Sequence, residues 1–144
     1  MEYQRTRYGY VLKLDGGEEI IQSLTTFAET EGVRAGGIWG LGAVGEAELG
    51  FFVRGSGTYV RKIFHGEHEI GSLTGNLSDL DGKPFPHCHI LIAGHDFVAW
   101  TGHLFRGVVT VTCEIQVVTD TGTLRRVRGA EGFHPLALER RPGR

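Results

Sequence analysis

The sequence predicts a single α+β domain, a mainly antiparallel β-sheet with one helix flanking it near the N-terminus, and three observations carry that prediction. Apolar residues take helical spacing between Glu18 and Glu31, where Ile20, Ile21, Leu24, Phe27 and Ala28 recur along one face. From Val33 onward the chain is nearly all short apolar runs and alternations separated by turn residues. Glycine fills 23 of 144 positions, about twice its ordinary share of ~7 %, which favours turns and close backbone approach over helix.

Each element follows from its own residues. Residues 5–14 alternate and carry Tyr8, Tyr10, Val11, Leu12 and Leu14, a first strand ended by Asp15-Gly16-Gly17. The helix opens with acids in its first turn and stops at Gly32. Its apolar face must be buried somewhere, and a sheet is the available surface. Strands are expected over 33–44, 46–53, 57–64, 68–78, 87–93, 97–104 and 107–118. Their close spacing implies antiparallel pairing, because parallel strands need longer crossovers. Gly36-Gly37-Ile38-Trp39-Gly40-Leu41-Gly42 lacks the Lys-Ser/Thr of a phosphate-binding loop and precedes strands, so it reads as a strand with bulges or close backbone packing. Ser78-Asp79-Leu80-Asp81-Gly82-Lys83-Pro84 is a polar loop with an Asp-Gly turn, and Asn76 and Asp81 are taken as candidate ligand-pocket residues.

Length places residues 1–135 in one domain and leaves 136–144 as a flexible C-terminal tail. No apolar run reaches the ~18 residues of a membrane span and no signal-peptide core is present, so a cytoplasmic protein with no membrane association is expected. Cys88 and Cys113 each lie in an apolar strand, and both are expected to be reduced. Fifteen basic and seventeen acidic residues give a net charge of −2, which provides no general field for a polyanion. Two basic clusters, Arg125-Arg126-Val127-Arg128 and Arg140-Arg141-Pro142-Gly143-Arg144, are read as a solvated turn and a frayed end.

The chemistry concentrates in Pro86-His87-Cys88-His89-Ile90-Leu91-Ile92, followed by Thr101-Gly102-His103-Leu104. On a strand His87 and His89 share one face while Cys88 points to the other. Same-face neighbours are roughly 6.5–7 Å apart at the backbone, so two imidazole arms can meet on one ion. With His103 on the next strand, three neutral nitrogens and an open fourth position suit Zn²⁺ or a similar divalent metal. Glu114 interrupts an apolar run and is a candidate partner for orienting an imidazole. His65 and His68 flank Gly66-Glu67 in an expected hairpin turn and His95 sits in another, all three read as surface groups, while His134 is placed in a loop. Trp39 and Trp100 are large enough to anchor core or interface contacts.

The order of several motifs resembles the PPC domain, the plant and prokaryote module that in plants follows an AT-hook in nuclear DNA-binding proteins. They are the Asp-Gly-Gly-Glu-Glu helix start, the glycine-rich segment ending at Val44, Glu69-Ile70-Gly71-Ser72-Leu73-Thr74-Gly75-Asn76-Leu77-Ser78, Asp81-Gly82-Lys83-Pro84, His87-x-His89 and Gly102-His103-Leu104. The resemblance spans residues 5–118 and is to the stand-alone prokaryotic type. It implies a compact α/β fold assembled as a homotrimer, and a histidine-bound metal at His87, His89 and His103. An AT-hook needs Arg-Gly-Arg-Pro in the minor groove. Neither Arg128-Gly129-Ala130 nor the C-terminal arginine cluster matches it, so direct DNA binding is not expected.

Three classes of function remain open. One is a trimeric module whose metal captures a small ligand or a protein partner. Another is a metal-dependent enzyme acting on a small molecule, with Glu67, Glu69, Asp79, Asp81 and Glu114 as bases by type. The third keeps the fold and makes the histidines packing or interface groups. A cupin-like site is disfavoured because Ala93 and Gly94 stand where its glutamate belongs, and no Gly-x-Ser-x-Gly elbow occurs.

Overall fold

The computed structural model describes residues 1–129 and 133–138. Its elements are β1 (Glu2–Thr6), β2 (Gly9–Asp15), α1 (Ile20–Thr30), β3 (Gly36–Val53), β4 (Thr58–Leu80), β5 (Lys83–Ala93) and β6 (Ala99–Thr119). One antiparallel sheet runs in the order β1-β2-β6-β3-β4-β5, and β5 pairs with β6 as well. The second pairing curls β6, β3, β4 and β5 into a ring. The α+β class expected from the pattern is the one observed.

Helix α1 is started and anchored by one side chain. Glu19 at the N-cap accepts from the backbone N–H of Ile21 and Gln22 at 3.2 and 2.7 Å, and Gly107 N on β6 donates to the same carboxylate at 2.8 Å. The cap thus satisfies helix donors and ties the helix to the sheet. Beyond Thr30 the chain reaches Gly32 at φ 67°, the left-handed stop expected there. The apolar face of α1 packs over β5 and β6, where Leu24 and Phe27 join Leu12, Leu14, Leu73, Leu77, Ile90, Ile92 and Ile115 in one core. Each such side chain contributes about 1.5–3 kcal/mol through burial.

Two features of the sheet differ from the sequence reading. The first strand is a hairpin, β1 and β2, with Thr6 paired to Gly9 around Arg7-Tyr8. The seven later runs form four long strands, because three apparent breaks, at 45, 65–67 and 105–106, are register irregularities within continuous strands rather than turns. Val44 pairs with His68 and Glu46 with His65, so Gly66 and Glu67 oppose the single residue Gly45. Gly66 takes φ 92°, a left-handed conformation that glycine adopts freely, and β4 runs on through it. His65 and His68 therefore lie inside a strand, not at a hairpin tip. A second irregularity falls between Gly40 and Gly42 in the glycine-rich run, which is a bulged strand as expected.

After β6 the chain returns to the far end of β4. Asp79 N donates to Leu124 O and Arg126 N to Asp79 O, both at 2.8 Å, while Val127 N and Ala137 N donate to Pro135 O and Arg125 O. Leu136 and Ala137, placed in the tail by length, are thus held by this strip. Arg125 and Arg128 are exposed, as a solvated turn requires, but Arg126 is only 7 % exposed. The arginines at 140, 141 and 144 lie outside the described residues. Cys88 and Cys113 are free and buried, and burial pushes both thiols up to about 12. No helix among the described residues is long and apolar enough to cross a membrane.

Candidate metal centre

His87 and His89 project from the face of β5 opposite the core, since Cys88, Ile90 and Ile92 between and beyond them are buried. His103 lies directly across from His89 in the β5–β6 register. On the other side of β5, Asn76 lies across from His87 and Gly75 across from Cys88. A Cβ at Gly75 would stand 2.2 Å from the His87 carbonyl oxygen, so only glycine lets β4 approach β5 at this point.

The three imidazoles converge. Ring centroids are 5.5 Å apart for His87–His89, 5.0 Å for His87–His103 and 5.5 Å for His89–His103, and one nitrogen from each lies within 4.8 Å of the others. Nitrogens bound to one ion at ~2.0–2.1 Å are at most about 4.2 Å apart. Small side-chain rotations cover the difference.

The electrostatics favour the neutral form of His87 and His103. Burial pushes His87 down to about 4, with the Arg126 charge and His89 adding to the effect. Burial likewise pushes His103 down to about 4, followed by His87, His89 and the charges of Arg61 and Arg126. Neutral imidazole is the metal-binding form. His103 Nδ1 is also buried without a hydrogen-bond partner among the described residues. A buried nitrogen left unpaired is costly, and a metal bond would satisfy it. The donor set, its neutrality and this unpaired atom fit a divalent ion.

Arg126 closes the site from below. Its Nε donates to Ser78 Oγ at 2.8 Å, Nη1 to the His134 carbonyl at 2.5 Å, and Nη2 to Asn76 Oδ1 at 2.8 Å and His87 Nδ1 at 3.0 Å. Its guanidinium carbon stands 5.2 Å from the Phe85 ring centroid. Aromatic rings complete the walls: Tyr59 is 5.3 Å and Phe105 4.6 Å from His103, centroid to centroid.

Among the residues marked out from sequence, the structure thus brings together His87, His89, His103 and Asn76. It does not bring Glu114 or Asp81 to them. Glu114 is exposed and pairs across the sheet with Lys13 and Leu41. Asp81 sits in the β4–β5 turn at φ 54° and accepts from Arg128 Nε at 2.7 Å. Asp79 pairs with Arg34 at 3.4 Å. Sequence reasoning missed Arg126, and nothing in Arg-Arg-Val-Arg separates it from its neighbours. Only its contacts 48 and 50 residues upstream, to Ser78 and Asn76, reveal the role. His134, in the loop expected for it, lines the cavity beside Arg126.

A family model described as the Plants and Prokaryotes Conserved (PCC) domain matches residues 1–121. Among solved structures the chain is similar to a Bacteroides thetaiotaomicron protein provisionally named as DNA-binding, with 29 % identity, TM-score 0.92, and 96 % of this chain and 98 % of that one covered. It is similar to a plant- and prokaryote-conserved protein from Pyrococcus horikoshii, at 26 % identity, TM-score 0.85 and coverage of 96 % and 95 %. A metal-containing protein from Archaeoglobus fulgidus is 34 % identical, with TM-score 0.83 and coverage of 96 % and 97 %. No curated protein matches.

Proposed function

The chain belongs to the Plants and Prokaryotes Conserved (PCC) domain family, and from that premise we propose that it is a homotrimeric binding module. In it His87, His89 and His103 hold one divalent ion of the zinc class and present it to a small ligand or a protein partner. The observation that carries this reading is the convergence of three imidazoles from two paired strands. The metal-containing relative, at 34 % identity over nearly the whole chain, supports it. A bound ion of this class supplies an open coordination position and Lewis acidity there. The protein's part is to hold the rings oriented, through the β5–β6 register and the Arg126–Asn76 contacts around His87.

The trimer is supported by apolar side chains that the single chain leaves uncovered. Trp39 is 46 %, Leu41 57 % and Val111 70 % exposed on β3 and β6, the kind of surface that subunit contacts bury. Direct DNA contact is outside the reading: net charge is −2 and the sequence has no Arg-Gly-Arg-Pro core. Metal-dependent catalysis is the alternative, and it requires a base. Asp79 and Asp81 are paired with Arg34 and Arg128, and Glu114 lies opposite Lys13 and Leu41, which favours a binding role.

Elemental analysis of untagged protein, wild type beside His89→Ala, with mass in solution on the same samples, tests the proposal. The expected result is about one zinc-class ion per chain, lost in the variant, and a particle of three chains. Absence of metal from both samples after zinc supplementation would overturn the metal site, and a monomeric mass would overturn the trimer.

A further inference from the structure

We infer that the cavity beside the three histidines is an anion pocket for a small organic carboxylate, with Arg126 and the bound metal as its two positive poles and an aromatic wall for the ligand's apolar end. The inference deepens the metal-site reading and rests on it for one of the two poles.

The first observation is the charge balance of Arg126. Arg126 is 7 % exposed, and the four hydrogen bonds of its guanidinium go to a hydroxyl, a carbonyl, an amide oxygen and an imidazole, all neutral. Among the described residues no carboxylate forms an ion pair with it, whereas Arg34, Arg61 and Arg128 each have one. A buried cation without a counter-charge is expensive, and neutral dipoles offset only part of that cost. A divalent ion on three neutral imidazoles would add two further positive charges. Nothing in the histidine cluster compensates them, because it contains no acid. The site therefore selects for a negative ligand.

The second observation is the space in front of these charges. A cavity of about 290 Å³ is lined by His87, His103, Arg126, Tyr59, Phe85 and Phe105, among others. That volume is worth about ten waters and lies at the small end of ligand sites. Four of the five guanidinium N–H groups are engaged, which leaves one on Nη1. One donor and one open metal position match the two oxygens of a carboxylate. Phosphate would turn its remaining oxygens toward the Phe85 and Phe105 rings, which donate nothing, at a desolvation cost. The rings instead suit a short apolar or aromatic body.

Calorimetric titration of the purified protein, before and after zinc supplementation, with benzoate, its neutral isostere benzamide and inorganic phosphate provides the test, metal content being measured on the same samples. Benzoate should bind zinc-loaded protein at least about tenfold more tightly than benzamide or phosphate. Arg126→Met, which leaves only the metal pole, should weaken the preference severalfold, and Arg126→Lys should weaken it less. The wild-type comparison decides the question even if Arg126→Met does not fold. Benzamide or phosphate binding as tightly as benzoate, or no binding of any at millimolar concentration, would overturn the pocket while leaving the metal site standing. Preference for benzoate in protein that takes up no metal would overturn the metal site and leave the anion pocket resting on Arg126.

Discussion

Along β5 alternate residues live in different media, and the two faces of this one strand do different work. Cys88, Ile90 and Ile92 are at most 1 % exposed and share the core with Leu24 and Phe27 of α1. His87 and His89, one residue away in each case, face the cavity side with His103 and Arg126. The inner face is defined by volume and apolarity, which any side chain of similar shape supplies. The outer face is defined by donor atoms, which few side chains supply. Stability should therefore reside on one face and chemistry on the other, although both hang from the same backbone hydrogen bonds.

The largest effect that would break this comparison belongs to the core. Ile90→Ala should cost about 2–5 kcal/mol, through lost transfer energy and the cavity left behind. His89→Ala, on the same strand, should stay within about 0.5 kcal/mol because its ring is exposed. Denaturant unfolding of both variants in parallel measures the contrast. Equal losses would show that the two faces are not energetically separate.

Arg126 is the next largest effect, and it sharpens the comparison because it lies on the site side yet is buried. Arg126→Met leaves the acceptors on Asn76, Ser78 and His134 without their donor, and should cost about 1–3 kcal/mol by the same measurement. A loss near zero would mean that water replaces the guanidinium and that the C-terminal strip contributes little.

This residue also marks how far the sequence could be read. The helix, the antiparallel sheet and the shared face of His87 and His89 follow from periodicities of a few residues, which is where local rules hold. The meeting of His103 with His89 was suggested by the next strand but needed the β5–β6 register, which spacing leaves open. Arg126 depends on the chain doubling back to β4 after β6, and no local pattern encodes a contact 50 residues away. The bulges at Gly66 and Gly45 were hidden for a related reason. A glycine between two apolar runs signals a turn and a bulge equally well, and only the partner strand decides.

A smaller effect comes from pH, again confined to the site face. His87 and His103 are pushed down to about 4 in the folded chain, chiefly by burial, against about 6.5 when unfolded. Between these values the unfolded state binds protons that the native state refuses, so stability falls as pH drops from about 6.5 toward about 4. Above about 6.5 both states hold neutral rings and this contribution is flat. Both side chains keep partial contact with solvent, which tempers the size. Metal-free protein unfolded by denaturant at several pH values should show this slope, and His87→Asn should flatten part of it. A slope unchanged in that variant would place the titrating groups elsewhere.

The smallest expected effect concerns the two ends of β6. His103 and Glu114 belong to one strand, yet they are eleven residues apart, on the order of 30 Å of extended chain. His103 faces its two partner rings, while Glu114 is an exposed residue between buried Cys113 and Ile115, opposite Lys13 and Leu41. An orienting partner must reach the imidazole within hydrogen-bond distance. From where it stands in the single chain, Glu114 reaches none. Glu114→Ala should accordingly alter stability by no more than about 0.5 kcal/mol and leave metal content at the wild-type level. Loss of metal in this variant would mean that assembly brings Glu114 of one subunit to the histidines of another. The separation of site and surface along β6 would then hold for the single chain and fail for the oligomer.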